Sequence, residues 1–196
     1  MTGRQRNARG SGDQLRDHLV AAASELLLTP QSIALPSLRA VARSCRVSPA
    51  AVYLHFDSQQ ALISAVIQTQ MQELGREIAE AVAATSSPLA RAHAFGITYA
   101  TWGIEHPGGY QLLFESADRL GASMHEADWS LLENAADLVV EVTGAARSDA
   151  GVISFRLWTA LHGIVSLRMH KLDAPWPTSL DVEVRTVIDH LVRRSN

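Results

Sequence analysis

The chain has 196 residues, 47% hydrophobic and 19% charged, with 12 Gly and 7 Pro; this implies one domain, or a small one joined to a larger, and excludes a mainly disordered or fibrous chain. The net charge of -3 is unevenly spread: residues 1–60 hold seven Arg against four acids, the remainder ten Lys plus Arg against sixteen acids, as a polyanion-binding headpiece on an acidic body would. A single cysteine, Cys45, excludes an intramolecular disulfide and a cysteine-built zinc site and points to a reducing compartment.

Apolar residues recur at helical spacing almost throughout. Leu15, Leu19, Ala22, Ala23, Leu26 and Leu27 predict a first helix over residues 13–28, broken at Thr29-Pro30-Gln31-Ser32. Ser37 opens a short second helix to about Ser44, and Ser48-Pro49 opens a short third to about His55. Asp57 with Gln60 makes a capping-box-like start for a long fourth helix that runs past Val82 and ends at Thr85-Ser86-Ser87-Pro88. Further helices are expected at 89–105, after Pro107-Gly108-Gly109, and at 126–142, 149–170 and 180–194. Strand signals and internal repeats are absent, so the expectation is an all-α chain of about nine helices. Its most apolar stretch, 151–167, is interrupted by Arg156, and the N-terminus lacks the apolar core of a signal peptide; a cytoplasmic protein without a membrane partner is expected.

Only Cys45, Arg46 and Val47 separate the second helix from the cap of the third, a spacing that forces a sharp corner of the helix-turn-helix type. Such a corner can push one helix into the major groove of DNA; it also occurs in helical proteins with no such role. Phe56, Val41, Val47 and Val52 are expected in the core, with Cys45 as a small buried residue.

The runs 37–43, 47–56 and 57–62, with a Val-Ser-x-x-x-aliphatic-Tyr-x-His-Phe core at Val47, Ser48, Val52, Tyr53, His55 and Phe56, resemble the headpiece of the TetR family of bacterial transcriptional repressors. Residues 99–114 and 157–167 are similar to the regulatory domain of the TetR subgroup named for its Trp-His-Gly signature. The resemblance implies a flexible basic arm at 1–12, a DNA-binding domain at 13–60 and a helical regulatory and dimerisation domain at 61–196. It further implies a homodimer that binds a palindromic operator and releases it on binding a small apolar or aromatic effector, with no cofactor. The competing expectation is a helical ligand-binding protein of the same fold that does not bind an operator.

For DNA binding the resemblance points to Tyr53 and His55 on phosphates. The residue chemistry adds Ser37 and Ser48 at helix starts, and Arg39 on a phosphate or a guanine edge. Ala50 and Ala51 offer only apolar contact, for example with thymine methyls, leaving specificity to these, to Arg39 and to DNA shape. Three features depart from the family pattern. Arg46 stands where Gly is common, so either the turn is adjusted or Arg46 recovers its backbone cost at a phosphate. Gln59 stands where Lys is common and can still donate a hydrogen bond to DNA, and Pro49-Ala50-Ala51 offers almost no hydrogen-bonding side chain. Arg4, Arg6 and Arg9 would add phosphate attraction.

By the subgroup resemblance an effector cavity is placed near Tyr99, Trp102, Phe114, Trp158 and His162, most other aromatics being core. His162 is expected at a helix contact where Gly163 lets backbones approach. Ile164, Val165, Val187, Ile188, Leu191 and Val192 on the last two helices resemble the family's dimerisation pair. No nucleophile elbow, phosphate loop or His-Glu-x-x-His occurs, and the adjacent pairs Glu105-His106 and His125-Glu126 make poor chelators; neither catalytic residues nor a metal site are expected.

Overall fold

Ser37, Ser48, Ser58 and Ser87 each stand one residue ahead of a helix in extended backbone, and each accepts through Oγ the N–H three residues on. These caps satisfy orphan donors and fix where α2 (Leu38–Ser44), α3 (Pro49–Tyr53), α4 (Gln59–Ala83) and α5 (Pro88–Glu105) begin. Proline at the first position of α3 and α5 gives up an N–H that had no helical partner. For α4 the cap is Ser58, at φ -151° and ψ 163°, and not Asp57; the hydroxyl one residue later reaches the Ala61 N–H at 3.1 Å.

The structure, a computed structural model, describes residues 11–28, 36–116 and 126–193. Its other helices are α1 (Ser11–Leu27), α6 (Pro107–Tyr110), α7 (Glu126–Thr143), α8 (Arg147–His170) and α9 (Leu180–Arg193), with a π-helical turn at Gln111–Ser116 continuing α6. No strand occurs among the described residues, so the fold is all-α. α3 is shorter than expected: beyond Tyr53 the amides of His55 and Phe56 both turn back to the Val52 carbonyl. α6 begins at Pro107, so Gly108 and Gly109 lie inside it. A Cβ on Gly108 would stand 2.0 Å from the Leu28 carbonyl oxygen, which explains why a residue without one sits there.

Two cores form. In the headpiece, Leu19, Val41, Val52, Phe56, Leu62 and Val66 are buried together, and Leu112 from the π turn joins them. The larger core gathers Leu74, Phe95, Tyr99, Trp102, Tyr110, Leu161 and Ile188, while half-buried Ile67 on α4 touches both. Val47 and Cys45 are only half-buried, so Cys45 is not the enclosed residue expected; its Sγ lies 3.5 Å from the His18 carbonyl.

α8 is long and apolar enough to cross a membrane by length and composition, with a mean hydropathy of 1.3. In the fold its apolar residues divide. Ala150, Ile153, Leu157, Leu161, Ile164 and Val165 face inward, whereas Val152, Phe155 and Leu167 are half exposed. This corrects three expectations. Ile164, Val165, Ile188 and Val192 are buried within the single chain, with Val187 and Leu191 packed beside them, because α9 lies against α5. A Cβ on Gly96 of α5 would stand 2.7 Å from Ile188 Cδ1, so the close approach occurs there. Gly163 has nothing within 4 Å of its Cβ position and faces open space. Trp129 and Phe155, two of the aromatics most of which are expected in the core, are 49% and 52% exposed.

Candidate nucleic-acid interface and effector cavity

The α2–α3 corner closes through Arg46 N–H to the Arg43 carbonyl at 3.1 Å and Val47 N–H to the Ala42 carbonyl at 2.9 Å. This geometry holds Arg46 at φ +56°, left-handed backbone that glycine adopts without strain. Beyond the corner, burial of Val52 and Phe56 pins α3 inward and turns Ser48, Pro49, Ala50, Tyr53 and Leu54 to solvent; Ala51 and His55 are half-buried.

Ser37 and Ser48 are exposed, and their Oγ atoms accept from Ala40 and Ala51, leaving each O–H proton to donate. Arg39, Arg43 and Arg46 are exposed and form no ion pair or side-chain hydrogen bond with any described residue. Gln59 is half-buried, and its Nε2 donates to the Pro36 carbonyl at 3.1 Å, tying the start of α4 to the approach to α2. The guanidinium of Arg16 stacks over Phe56 at 5.3 Å, so this cation is held against the headpiece core. Arg4, Arg6 and Arg9 lie outside the described residues. Arg43 and Leu54 were not singled out from sequence, although the burial of Val52 and Phe56 on either side implies that Leu54 points outward.

At the other end, α5, α7, α8 and the π turn enclose an apolar cavity of about 30 Å³. Tyr99, Phe114 and Trp158 form part of its wall with Phe95, Leu113 and Leu157. Ser154 also lines it, but its hydroxyl donates to the Leu132 carbonyl at 2.8 Å. Trp102 and His162 are not in the wall. Trp102 is 1% exposed, stacks on His106 at 5.0 Å and closes over Gly109. His162 stands behind the wall, its Nδ1 2.6 Å from the Tyr110 hydroxyl, which in turn lies 3.5 Å from that of Tyr99. Burial pushes Tyr99 up to about 12, and contacts with Tyr110 and Trp158 pull it partly back. Apart from the Tyr99 and Ser154 hydroxyls and the Trp158 indole N–H, the cavity wall is apolar.

Residues 107–116 link the two ends. Gly108 rests on the end of α1, Leu112 enters the headpiece core, and the next two residues, Leu113 and Phe114, wall the cavity. Among the described residues no three His, Cys, Asp or Glu gather to hold a metal; His106 Nδ1 faces the Trp102 carbonyl at 3.1 Å, and His125 lies outside those residues.

No curated protein matches this sequence. Among solved structures, a protein of unknown function from Rhodococcus sp. RHA1 is similar at 26% identity and a TM-score of 0.75, over 97% of this chain and 98% of that one. A TetR-like transcriptional regulator from Rhodococcus sp. RHA1 is similar at 17% identity and a TM-score of 0.67, over 96% and 97% of the two chains. The multidrug binding protein EbrR complexed with imidazole follows at 20% identity and a TM-score of 0.65, over 90% and 93%. Residues 19–66 match the bacterial regulatory proteins of the tetR family, and residues 92–191, half of the chain, match the Tetracyclin repressor-like, C-terminal domain. With its helix-turn-helix corner at one end and its helical body at the other, the chain belongs to the TetR family of transcriptional regulators.

Proposed function

We propose that the protein is a cytoplasmic homodimeric repressor that binds a palindromic operator and leaves it when a small apolar or aromatic effector fills the α5–α8 cavity. It is a regulator and not an enzyme. Residues 13–60 form the operator-binding domain and 61–196 the regulatory and dimerisation domain, with 1–12 as a basic arm. Operator contacts come from Ser37, Arg39, Arg46, Ser48, Ala50, Ala51, Tyr53 and His55, with Gln59 positioning α4. In a dimer the two copies of α3 would meet half-sites about 34–36 Å apart, or a multiple of that. The TetR-family matches and the complex of EbrR with imidazole support a small-molecule ligand.

The observation that carries this reading is the size and position of the cavity. Its volume of about 30 Å³ has room for about two waters, whereas a small-molecule pocket is typically on the order of 300 Å³ or more. A guest of that size in this cavity must therefore push these walls apart. Leu113 and Phe114 are wall residues, and the adjoining Leu112 is anchored in the headpiece core. Outward movement of the π turn would shift the headpiece together with α4, so that the paired α3 helices no longer match the operator. Linkage then requires the operator to weaken effector binding by the same factor.

Fluorescence anisotropy with duplexes selected from a random pool tests this. Nanomolar binding that weakens steeply with salt, and that is reversed by an apolar ligand shown calorimetrically to bind, supports the reading. A ligand that binds without changing operator affinity overturns the release mechanism. Failure to retain any duplex at low salt favours the ligand-binding protein without an operator.

A further inference from the structure

We infer that Leu54 is a specificity-determining residue that reads thymine methyl groups in the operator; this rests on the operator-binding reading above. Leu54 is 84% exposed, the most exposed of the large apolar side chains described. Its exposure is imposed by the fold, since Val52 at 0% and Phe56 at 3% take the inward positions on either side. Leu54 keeps right-handed helical backbone at φ -73° and ψ -18°, so it continues the outward face of α3 four residues beyond Ala50. Together they make an apolar strip with a single long side chain, beside the exposed ring of Tyr53.

What covers this strip is indicated by charge. Arg39, Arg43 and Arg46, on α2 and the corner that holds α3, are exposed and without an ion pair among the described residues, as a surface built to meet a polyanion would be. In the major groove the apolar feature that distinguishes one base pair from another is the thymine C5-methyl. Pro49, Ala50 and Ala51 carry no side-chain hydrogen-bonding group, and Ala50 and Ala51 end at Cβ, so neither reaches as far from the α3 axis as Leu54. Leu54, with two terminal methyls, reaches further, and its contact is lost where cytosine, with a hydrogen at C5, replaces thymine.

The test uses the full-length protein and a duplex obtained by selection from a random pool. Each thymine in the selected half-site is replaced in turn by deoxyuridine, which removes only the methyl group. The expected result is one position where affinity falls about fourfold per half-site, the effect of burying one methyl, and about fifteenfold when both half-sites are changed. The L54A protein binds the thymine duplex correspondingly more weakly and no longer distinguishes thymine from deoxyuridine there. Because Leu54 is exposed, L54A folds normally, which thermal unfolding verifies. A wild-type protein indifferent to every deoxyuridine, or an L54A protein that keeps the full preference, overturns the assignment while leaving operator binding intact. Absence of binding to any duplex overturns the operator reading itself, and this assignment with it.

Discussion

In the proposed operator surface, Arg46 sets binding against the stability of its scaffold. Its φ of +56° is left-handed, a conformation that costs an L-residue about 1–2 kcal/mol, part of which glycine would return as unfolded-state entropy. Arg46→Gly should therefore raise stability by roughly 0.5–1 kcal/mol, seen as a higher urea midpoint with an unchanged slope. The same variant loses one exposed cation per protomer, two in the proposed dimer, so the slope of log affinity against log salt should fall by about 1.8. An unchanged salt slope would mean that Arg46 touches no phosphate. Tyr99 gives a second prediction. Burial holds its pKa near 12 in the folded chain against about 10 when unfolded. The unfolded state therefore releases this proton first, and stability falls as pH rises from about 10 to about 12, by at most about 3 kcal/mol. Tyr99→Phe should remove roughly one proton from that dependence, measured by denaturant unfolding across the alkaline range.

Among the elements, the segment formed by α6 and the π turn matters beyond its length. It is pressed on α1 through Gly108, where a Cβ would stand 2.0 Å from the Leu28 carbonyl oxygen. Backbone atoms cannot give way cheaply, so Gly108→Ala should destabilise by roughly 1–3 kcal/mol by lifting α6 from α1. Leu112→Ala probes the other contact. At 5% exposure in the headpiece core, it should cost about 2–5 kcal/mol in thermal stability. Because Leu113 and Phe114 are untouched, effector binding to Leu112→Ala should persist while the loss of operator affinity on effector binding shrinks. Paired calorimetry and anisotropy titrations separate the two. If the coupling is undiminished, α4 carries the signal without the π turn.

For the molecule as a whole, the outward face of α8 is the surface on which we propose that two copies meet. Val152, Phe155, Leu167 and, on α9, Val182 are about half exposed. Gly163 adds a place where another helix can come close. A stripe of this kind, on one side of a helix already packed on its other side, fits a second copy related by twofold symmetry. Phe155→Glu should turn the dimer into a monomer in sedimentation equilibrium, since a carboxylate cannot be buried there unpaired. It should also cut operator affinity at least tenfold, because the two α3 helices are no longer held together. Stability of the single chain should change by less than about 1 kcal/mol, Phe155 being on the surface.

Much was legible from the chain alone. The serine caps before α2 and α3, the proline start of α3, and the three-and-four spacing of Leu15, Leu19, Ala22 and Ala23 act within a few residues, so they specify helices and the α2–α3 corner without knowledge of distant packing. Even α4 was displaced by only one residue, from an Asp57 cap to Ser58. What failed depended on partners remote in sequence. α8 is apolar on both sides, so its pattern could not say which face meets α5 and α7 and which remains outside. Gly108, Gly96 and Gly163 are alike in sequence, yet the first two sit under another element and the third under none. Trp102 and Phe114 are both aromatic, but only Phe114 borders the cavity, because α6 closes over Trp102. Helix formation is governed by neighbours along the chain, whereas burial of a side chain is governed by whatever the fold lays across it, and that is a property of the assembled structure.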